Sequence, residues 1–289
     1  MSKILISELP ERGLVRLAGP DAAPFLQNLI SNDVAKATAG EAIYASLLTP
    51  QGKFLHDFFL WSEAGDLVVD CEGPRRADLI RRLTFYRLRA KVEITDLTAE
   101  RRVFAVWGPN ALGALGLPER PGARAGDAFV DPRLTALGAR LVVDTDAPPP
   151  ALGAEPADYD SHRLGLGVPD GSRDLAVERS LLLEGRIDDL NGVDFNKGCY
   201  VGQELTARTK YRGTVKRRLF RVAAEGPPPA PETPVLLGAK QAGHITSMAA
   251  GAGLAMLRIA DVEQALTAGP KLTAAGTALT PSAPAWAKA

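Results

Sequence analysis

A chain of 289 residues with 34 basic and 34 acidic side chains has no formal net charge, so a global electrostatic pull toward nucleic acid or membrane is excluded. Its length suits two or three lobes around a sizeable core, and two cysteines without regular spacing argue against a disulfide scaffold or a self-sufficient zinc site. No apolar run is long enough to span a bilayer, and Met1 to Ile6 passes straight toward a strand without a signal or transit segment, so a cytoplasmic, reducing location is expected.

Leu14 to Leu17 reads as a strand, after which Gly19-Pro20-Asp21 opens a helix with proline in its first turn and Phe25, Leu26, Leu29 and Ile30 on one face. Ala42 to Leu47, Phe54 to Trp61 and Leu67 to Cys71 read as strands joined by turns at Thr49-Pro50-Gln51-Gly52 and Glu63-Ala64-Gly65-Asp66. Pro74 starts a helix whose Leu79, Ile80, Leu83 and Tyr86 share a face, and Val92 with Ile94 alternates as a strand does. Val103 to Trp107 is followed by Gly108-Pro109-Asn110-Ala111, an echo of Gly19-Pro20-Asp21-Ala22. The echo suggests a repeated strand-helix module, although shared turn chemistry produces the same pattern. This mixture predicts an α+β fold with ferredoxin-like lobes. Ala147-Pro148-Pro149-Pro150 marks a lobe boundary, and short strands at Leu219 to Val222, Pro234 to Leu237 and Gly243 to Met248 predict a small β-barrel. The expected organisation is an α+β region over 1–213 made of two interleaved lobes, a barrel over 214–280 and a disordered tail over 281–289.

The chemistry concentrates in Lys197-Gly198-Cys199-Tyr200-Val201-Gly202-Gln203-Glu204. Lys197 stands two residues before the sulfur, Gly198 and Gly202 let the backbone bend around it, and a helix starting near Gly202 would direct its positive end toward Cys199. Such surroundings favour a thiolate that acts as nucleophile or metal ligand; the plain alternative is a buried structural cysteine. Gln203 and Glu204 either orient a ligand or cap the helix, and Arg208 would return toward Glu204 one turn later. Lys197, Arg208, Lys210, Arg212, Lys216, Arg217 and Arg218 form a dense basic set, suited either to an anionic ligand or to a solvated, salt-bridged face. Cys71 ends an apolar strand and reads as a packed side chain, whereas His162 is expected to hydrogen-bond near the Cys199 loop.

The run from Asn191 to Phe220, with His162-Arg163, Gly167-Val168-Pro169, Gly171 and Arg173-Asp174-Leu175 before it, resembles the YgfZ family of T-protein relatives. It looks most like the branch that includes the mitochondrial iron-sulfur cluster assembly factor. Phe25 to Asp33, Gln51-Gly52-Lys53 with Asp57, and Gly243 to Ser247 are similar to further family segments. The resemblance implies a glycine-cleavage T-protein-like folate-binding fold with a C-terminal β-barrel. It implies an accessory role in assembling or maintaining iron-sulfur clusters, chiefly the 4Fe-4S type, with cluster carriers and client enzymes as partners and no nucleic acid or membrane partner. Cys199, Lys197, Gln203, Glu204 and Arg208 are the expected reactive set; Asp57, Gly198, Tyr200, Gly202 and Arg212 are expected to hold tetrahydrofolate in a central cleft that Cys199 faces. Iron would meet Cys199 only as a ligand shared with a partner, in a transient cluster. His56 replaces the acidic residue usual before Asp57 in T-proteins, which weakens the alternative of an aminomethyl or one-carbon transferase; a tRNA-modification factor is the third alternative.

Overall fold

Side chains along Phe54–Glu63 alternate between two cores, with Phe58 and Leu60 facing one and Phe59 and Trp61 the other. A strand buried on both faces lies within stacked layers, and those layers set the architecture. The computed structural model describes residues 3–213, 215–267 and 270–288. Met1, Ser2, Thr214 and Ala289, at the ends of the expected segments, lie outside them.

After β1 (Leu5–Glu8), which joins the second lobe, the first lobe contains β2 (Arg12–Ala18), α1 (Ala22–Gln27), β3 (Ile43–Leu48), β4 (Phe54–Glu63), β5 (Asp66–Glu72), α2 (Arg76–Arg87) and β6 (Glu93–Asp96). Its antiparallel sheet runs β3-β4-β5-β2-β6, and the β6-β2-β5-β4 portion with α1 and α2 on one face is a ferredoxin-like unit. The second lobe adds β7 (Arg101–Trp107), α3 (Ala111–Ala114), β8 (Arg124–Ala125), β9 (Ala128–Val130) and β10 (Ala139–Asp144). Its sheet runs β1-β7-β10-β9-β8, so the first strand of the chain pairs with β7, Leu5 opposite Trp107 through Glu8 opposite Phe104.

The Gly-Pro echo marks equivalent places in the two sheets. Gly19 follows β2 and Gly108 follows β7, with φ of +109° and +102°. A Cβ would lie 2.4 Å from the Lys91 carbonyl oxygen in the first case and 2.8 Å from that of Lys3 in the second. Each glycine therefore lets the end of one strand approach the residue leading into its neighbour. Pro20 precedes α1 rather than occupying its first turn, because the helix begins only at Ala22.

α4 (Pro156–Leu166), α5 (Gly171–Asp174) and α6 (Gln203–Arg212) then lead to β11 (Arg217–Ala224), β12 (Pro234–Leu237), β13 (Lys240–Ala249), β14 (Ala252–Arg258), α7 (Ile259–Thr267), β15 (Leu272–Ala274) and β16 (Thr277–Ser282). The six strands close a barrel in the order β11-β14-β13-β12-β15-β16. It docks on α5 and on the segment after it: Thr246 Oγ1 donates to Asp174 Oδ1 at 2.6 Å, and Leu219 N to the Glu184 carbonyl at 2.8 Å. One core joins both sheets to the barrel through Tyr44, Phe129, Leu164, Ile187 and Met256. The expected disordered tail is corrected here. Pro281 and Ser282 pair with Val222 and Arg221 to close the barrel, and Trp286 Nε1 donates to the Leu166 carbonyl at 2.8 Å.

Candidate functional site

The segment from Leu181 to Gly202 has no regular helix or strand, yet Leu182, Leu183, Ile187 and Leu190 are fully buried. Polar anchors hold it against the loop after α1. Ser31 Oγ donates to the Gly192 carbonyl at 2.6 Å, Asn32 Nδ2 to the Asn191 carbonyl at 2.8 Å, and Asp194 N to the Ser31 carbonyl at 2.9 Å. Val201 N donates to the Asn28 carbonyl at 3.1 Å. The two stretches that carry family likeness, near residue 30 and near residue 199, are thus one structure.

Lys197 is the central anchor. Its side chain is buried, and Nζ donates to the carbonyls of Gln27, Ile30 and Asn32 at 2.8, 2.7 and 2.8 Å. Burial pushes the ammonium down to about 8, with Asp33 and Asp194 opposing that shift. Its three acceptors lie at the end of α1 and in the loop after it, so its expected role of activating the sulfur gives way to a structural one. Tyr200 is a core residue with the Lys197 ammonium 5.2 Å from its ring centroid. Gln203 Oε1 accepts from Tyr200 N at 3.3 Å and closes the turn. Gly202 has φ +83°, and a Cβ there would lie 2.6 Å from the Thr49 carbonyl oxygen. Tyr200 and Gly202, both expected to hold a cofactor, are thus packed into the turn itself. Gly202→Ala should cost about 2 kcal/mol or more in urea denaturation, from left-handed strain plus the backbone clash.

Gly198 and Cys199 remain exposed at the apex of this anchored loop. Gly198 has no positive φ, and a Cβ on it meets no atom within 4 Å, so glycine is not sterically required there. Glu204, in the first turn of α6, complements the helix dipole, and Arg208 and Arg212 are exposed farther along it. No hydrogen bond or ion pair joins Glu204 to Arg208 among the described residues. The expected basic patch is dispersed: Lys197 points inward, Lys210 pairs with Asp188 at 2.7 Å, and Arg217 pairs with Glu184 at 3.0 Å. His162 lies elsewhere, stacked on Trp107 with Nε2 2.9 Å from the Ala136 carbonyl oxygen. Cys71 is buried, and burial pushes its thiol up to about 12.

Asp57 and His56 point to opposite faces of β4. Asp57 Oδ2 accepts from the Tyr44 hydroxyl at 2.6 Å while Oδ1 has no partner among the described residues. Burial, then Glu72, pushes Asp57 up to about 6 against Tyr44 and Arg12. His56 Nε2 is 3.0 Å from Asp78 Oδ2; burial, then Arg75, pushes the imidazole down to about 4. These shifts act on stability in opposite directions. Asp57 contributes stability that is fully present below its unfolded value of 3.8 and lost as pH rises through about 6. His56 contributes stability present above 6.5 and lost as pH falls through about 4. Each effect is about 3 kcal/mol, so the two nearly cancel between roughly pH 4 and 6.5. Asp57→Asn should therefore unmask stability that rises with pH in this window, and His56→Gln stability that falls. Parallel profiles for both variants and the wild type would exclude these environments.

Beside the Cys199 loop a cleft of about 410 Å³ is lined by Asn32, Lys36, Tyr44, Asp188, Phe195 and Lys210, among others. Its size is in the range of small-molecule sites. Tyr44 separates it from Asp57, which does not line it, and Cys199, Gly198 and Arg212 do not line it either. Its lining carries asparagine amides and two lysines that are each paired with a carboxylate, Lys36 with Asp194 and Lys210 with Asp188, both at 2.7 Å. Asn32 lay within a recognised stretch, but Tyr44, Lys36 and Asp188 had no local signature and converge only through folding. Among the described residues no group of three or more His, Cys, Asp or Glu side chains is placed to hold a metal ion, and no helix is long and apolar enough to cross a membrane.

Comparison with known proteins gives this geometry a family. Residues 3–117 match the family described as GCVT N-terminal domain, and residues 216–289 match the CAF17 C-terminal beta-barrel domain. The structure resembles the glycine cleavage system aminomethyltransferase T of Bartonella henselae with a TM-score of 0.77 at 17% identity, covering 98% of this chain and 86% of that one. This likeness shows the T-protein fold. The human iron-sulfur cluster assembly factor IBA57, mitochondrial, is 39% identical over 86% of this chain and 76% of its own length. The mouse protein is 36% identical with the same coverage, and the Mycosarcoma maydis homologue 32% identical over 78% of this chain and 59% of its own length. These relatives are mitochondrial, which overturns the cytoplasmic location expected from the N-terminal residues. A T-protein-like body, a closed C-terminal barrel and this extent of identity together establish that the chain belongs to the IBA57 family of iron-sulfur cluster assembly factors, within the YgfZ-like relatives of T-protein.

Proposed function

We propose that the chain assembles or maintains iron-sulfur clusters by lending Cys199 as one iron ligand, the other ligands coming from a carrier protein. The observation that carries this reading is the exposed sulfur on a loop whose flanking side chains are turned inward as anchors. Such a loop presents the thiol without reorganising. As the sulfur binds iron its proton leaves and is taken up by the displaced carrier thiolate, so no electron changes hands. Anaerobic mixing with a cluster-loaded carrier, followed by Mössbauer and absorption spectroscopy, should show a new shared species with the wild type and none with Cys199→Ser. The same species with both proteins would overturn the assignment.

The carrier needs a surface beside this sulfur. A groove of about 430 Å³ lined by Phe25, Leu29, Tyr86 and Leu88 adjoins the loop through the Val201–Asn28 hydrogen bond. Phe85 and Leu88 are 75% and 87% exposed, and Arg87 and Arg89 flank them, which suits an apolar, acidic partner face. Leu88→Asp should weaken carrier binding by about tenfold or more and leave alkylation of Cys199 unchanged.

Tetrahydrofolate is assigned to the 410 Å³ cleft, where it would supply a reduced pterin. Tyr44 gives that cleft an aromatic wall, Asp188 and Asp194 line it as acceptors, and Lys36 and Lys210, now paired with Asp194 and Asp188, would exchange those partners for a glutamate tail. A Lys36→Glu/Lys210→Glu variant should lose binding of 5-formyltetrahydrofolate by calorimetry; unchanged affinity would remove the ligand from this cleft. The transferase alternative is weakened because His56 and Asp57, on opposite faces of β4, cannot act on one substrate together.

A further inference from the structure

Buried charge is concentrated where β2, β10 and α4 meet, around a cavity of about 110 Å³ lined by Arg12, Arg133, Arg140, Tyr159, Arg163 and Asp170, among others. Three of these arginines have their guanidinium groups committed. Arg12 donates Nε to Asp70 Oδ1 at 2.6 Å and Nη2 to the Asp70 carbonyl at 2.8 Å. Arg133 donates to both oxygens of Asp131 and to the Pro169 carbonyl. Arg163 donates to Asp160, Asp174 and the Val168 carbonyl, leaving Nη2 without a partner.

Arg140 differs. It is 3% exposed and its guanidinium makes no hydrogen bond to a described residue, with Nε and Nη1 both buried and unpartnered. Its nearest carboxylate oxygen, Asp131 Oδ2, is 3.9 Å from Nε and already accepts from Arg133 Nη2 at 2.8 Å. The rings of Phe59 and Tyr159 lie against the guanidinium, with centroids at 5.3 and 5.1 Å. A guanidinium has five N–H donors, and burying it with none engaged is costly unless something else fills the site.

We propose that this cavity binds a small carboxylate whose two oxygens meet the Arg140 guanidinium side on. Paired oxygens on one carbon match the fork of an arginine better than a point charge does. The volume is that of about four waters at roughly 30 Å³ each, which admits an acid of two or three carbons. Asp160, Asp170 and Glu11 also line the cavity, so a single negative charge is accepted and a dianion opposed. Asp160 and Asp170 are paired with Arg163 and Arg173, so Glu11 is the carboxylate that suits an amine on the same ligand, and Leu9, Pro10 and Pro156 suit its carbon chain. Neither Cys199 nor the larger polar cleft contributes a wall, so the site stands apart from the proposed cluster and folate chemistry.

The test is calorimetry and thermal melting of the full chain with acetate, glycine and inorganic phosphate, each against chloride at equal ionic strength. Saturable binding of acetate or glycine, with a rise in Tm, is expected; glycine binding tighter than acetate would add the amine contact. Arg140→Lys keeps the charge but loses the fork, and should weaken binding at least tenfold. If that variant fails to fold, the Arg140 Nε–H resonance of the wild type should shift on acetate addition. No response to acetate or glycine beyond chloride, a response to phosphate alone, or binding unchanged in Arg140→Lys with an unmoved resonance would each overturn the proposal.

Discussion

Cys199→Ala should lower maturation of iron-sulfur client enzymes by more than about 100-fold, because losing an iron ligand exceeds the 10- to 100-fold effects typical of groups that only support one. The same change should leave stability within about 0.5 kcal/mol of wild type, as for exposed positions without special contacts. The thiol is exposed, and the loop is held by Lys197, Tyr200 and Gly202 rather than by the sulfur. Cys71→Ala provides the contrast. That thiol is buried, with Sγ 3.4 Å from the Gly13 carbonyl oxygen, so its loss should cost about 1 kcal/mol of stability and no activity per folded molecule. Full maturation by a stable Cys199→Ala protein would remove the sulfur from the mechanism.

Lys197→Met carries the largest expected loss of stability, about 4 kcal/mol by chemical denaturation. The substitution strips a charged donor from three carbonyls at once, and buried acceptors left without partners cost about 1–3 kcal/mol each before relaxation. Arginine should not rescue the site, because its planar fork does not reproduce an ammonium among three converging oxygens. Hydrogen exchange over residues 195–202 should accelerate in the same variant, since the loop loses its tie to the end of α1. A Lys197→Met protein as stable as wild type, with altered Cys199 alkylation and an unchanged loop, would instead restore the lysine to a role in activating the thiol.

Much of the framework was legible in local pattern. The strands β2 to β5 and β7 declare themselves as short apolar runs bounded by turn residues, and the Gly-Pro echo identified matching corners because the same backbone approach demands the same turn residues. β10 and β14 were missed, the first because its apolar run is only Leu141-Val142-Val143 and the second because its alanines and glycine give weak apolar contrast, although Val142 and Leu254 are buried. The glycine-bounded turn around Cys199 could be read from the sequence, but the direction of Lys197 could not. Its acceptors lie more than 160 residues earlier and are backbone oxygens, which leave no mark on side-chain identity. Arg140 was equally silent, since its isolation depends on Asp131 being claimed by Arg133 and on rings from two other elements. The family resemblance carried the cluster chemistry, whereas geometry separated the anchors from the apex.

The pairing of β1 with β7 has a consequence for biosynthesis. As the nascent chain leaves the ribosome, Leu5 to Glu8 emerges well before β7 and finds its hydrogen-bonding partners only after roughly a hundred further residues have been translated. Until then the β1 backbone has no ladder, while β2 to β6 can already assemble. An N-terminal fusion that restrains those few residues would therefore leave β7 with an open edge able to recruit a strand from another copy.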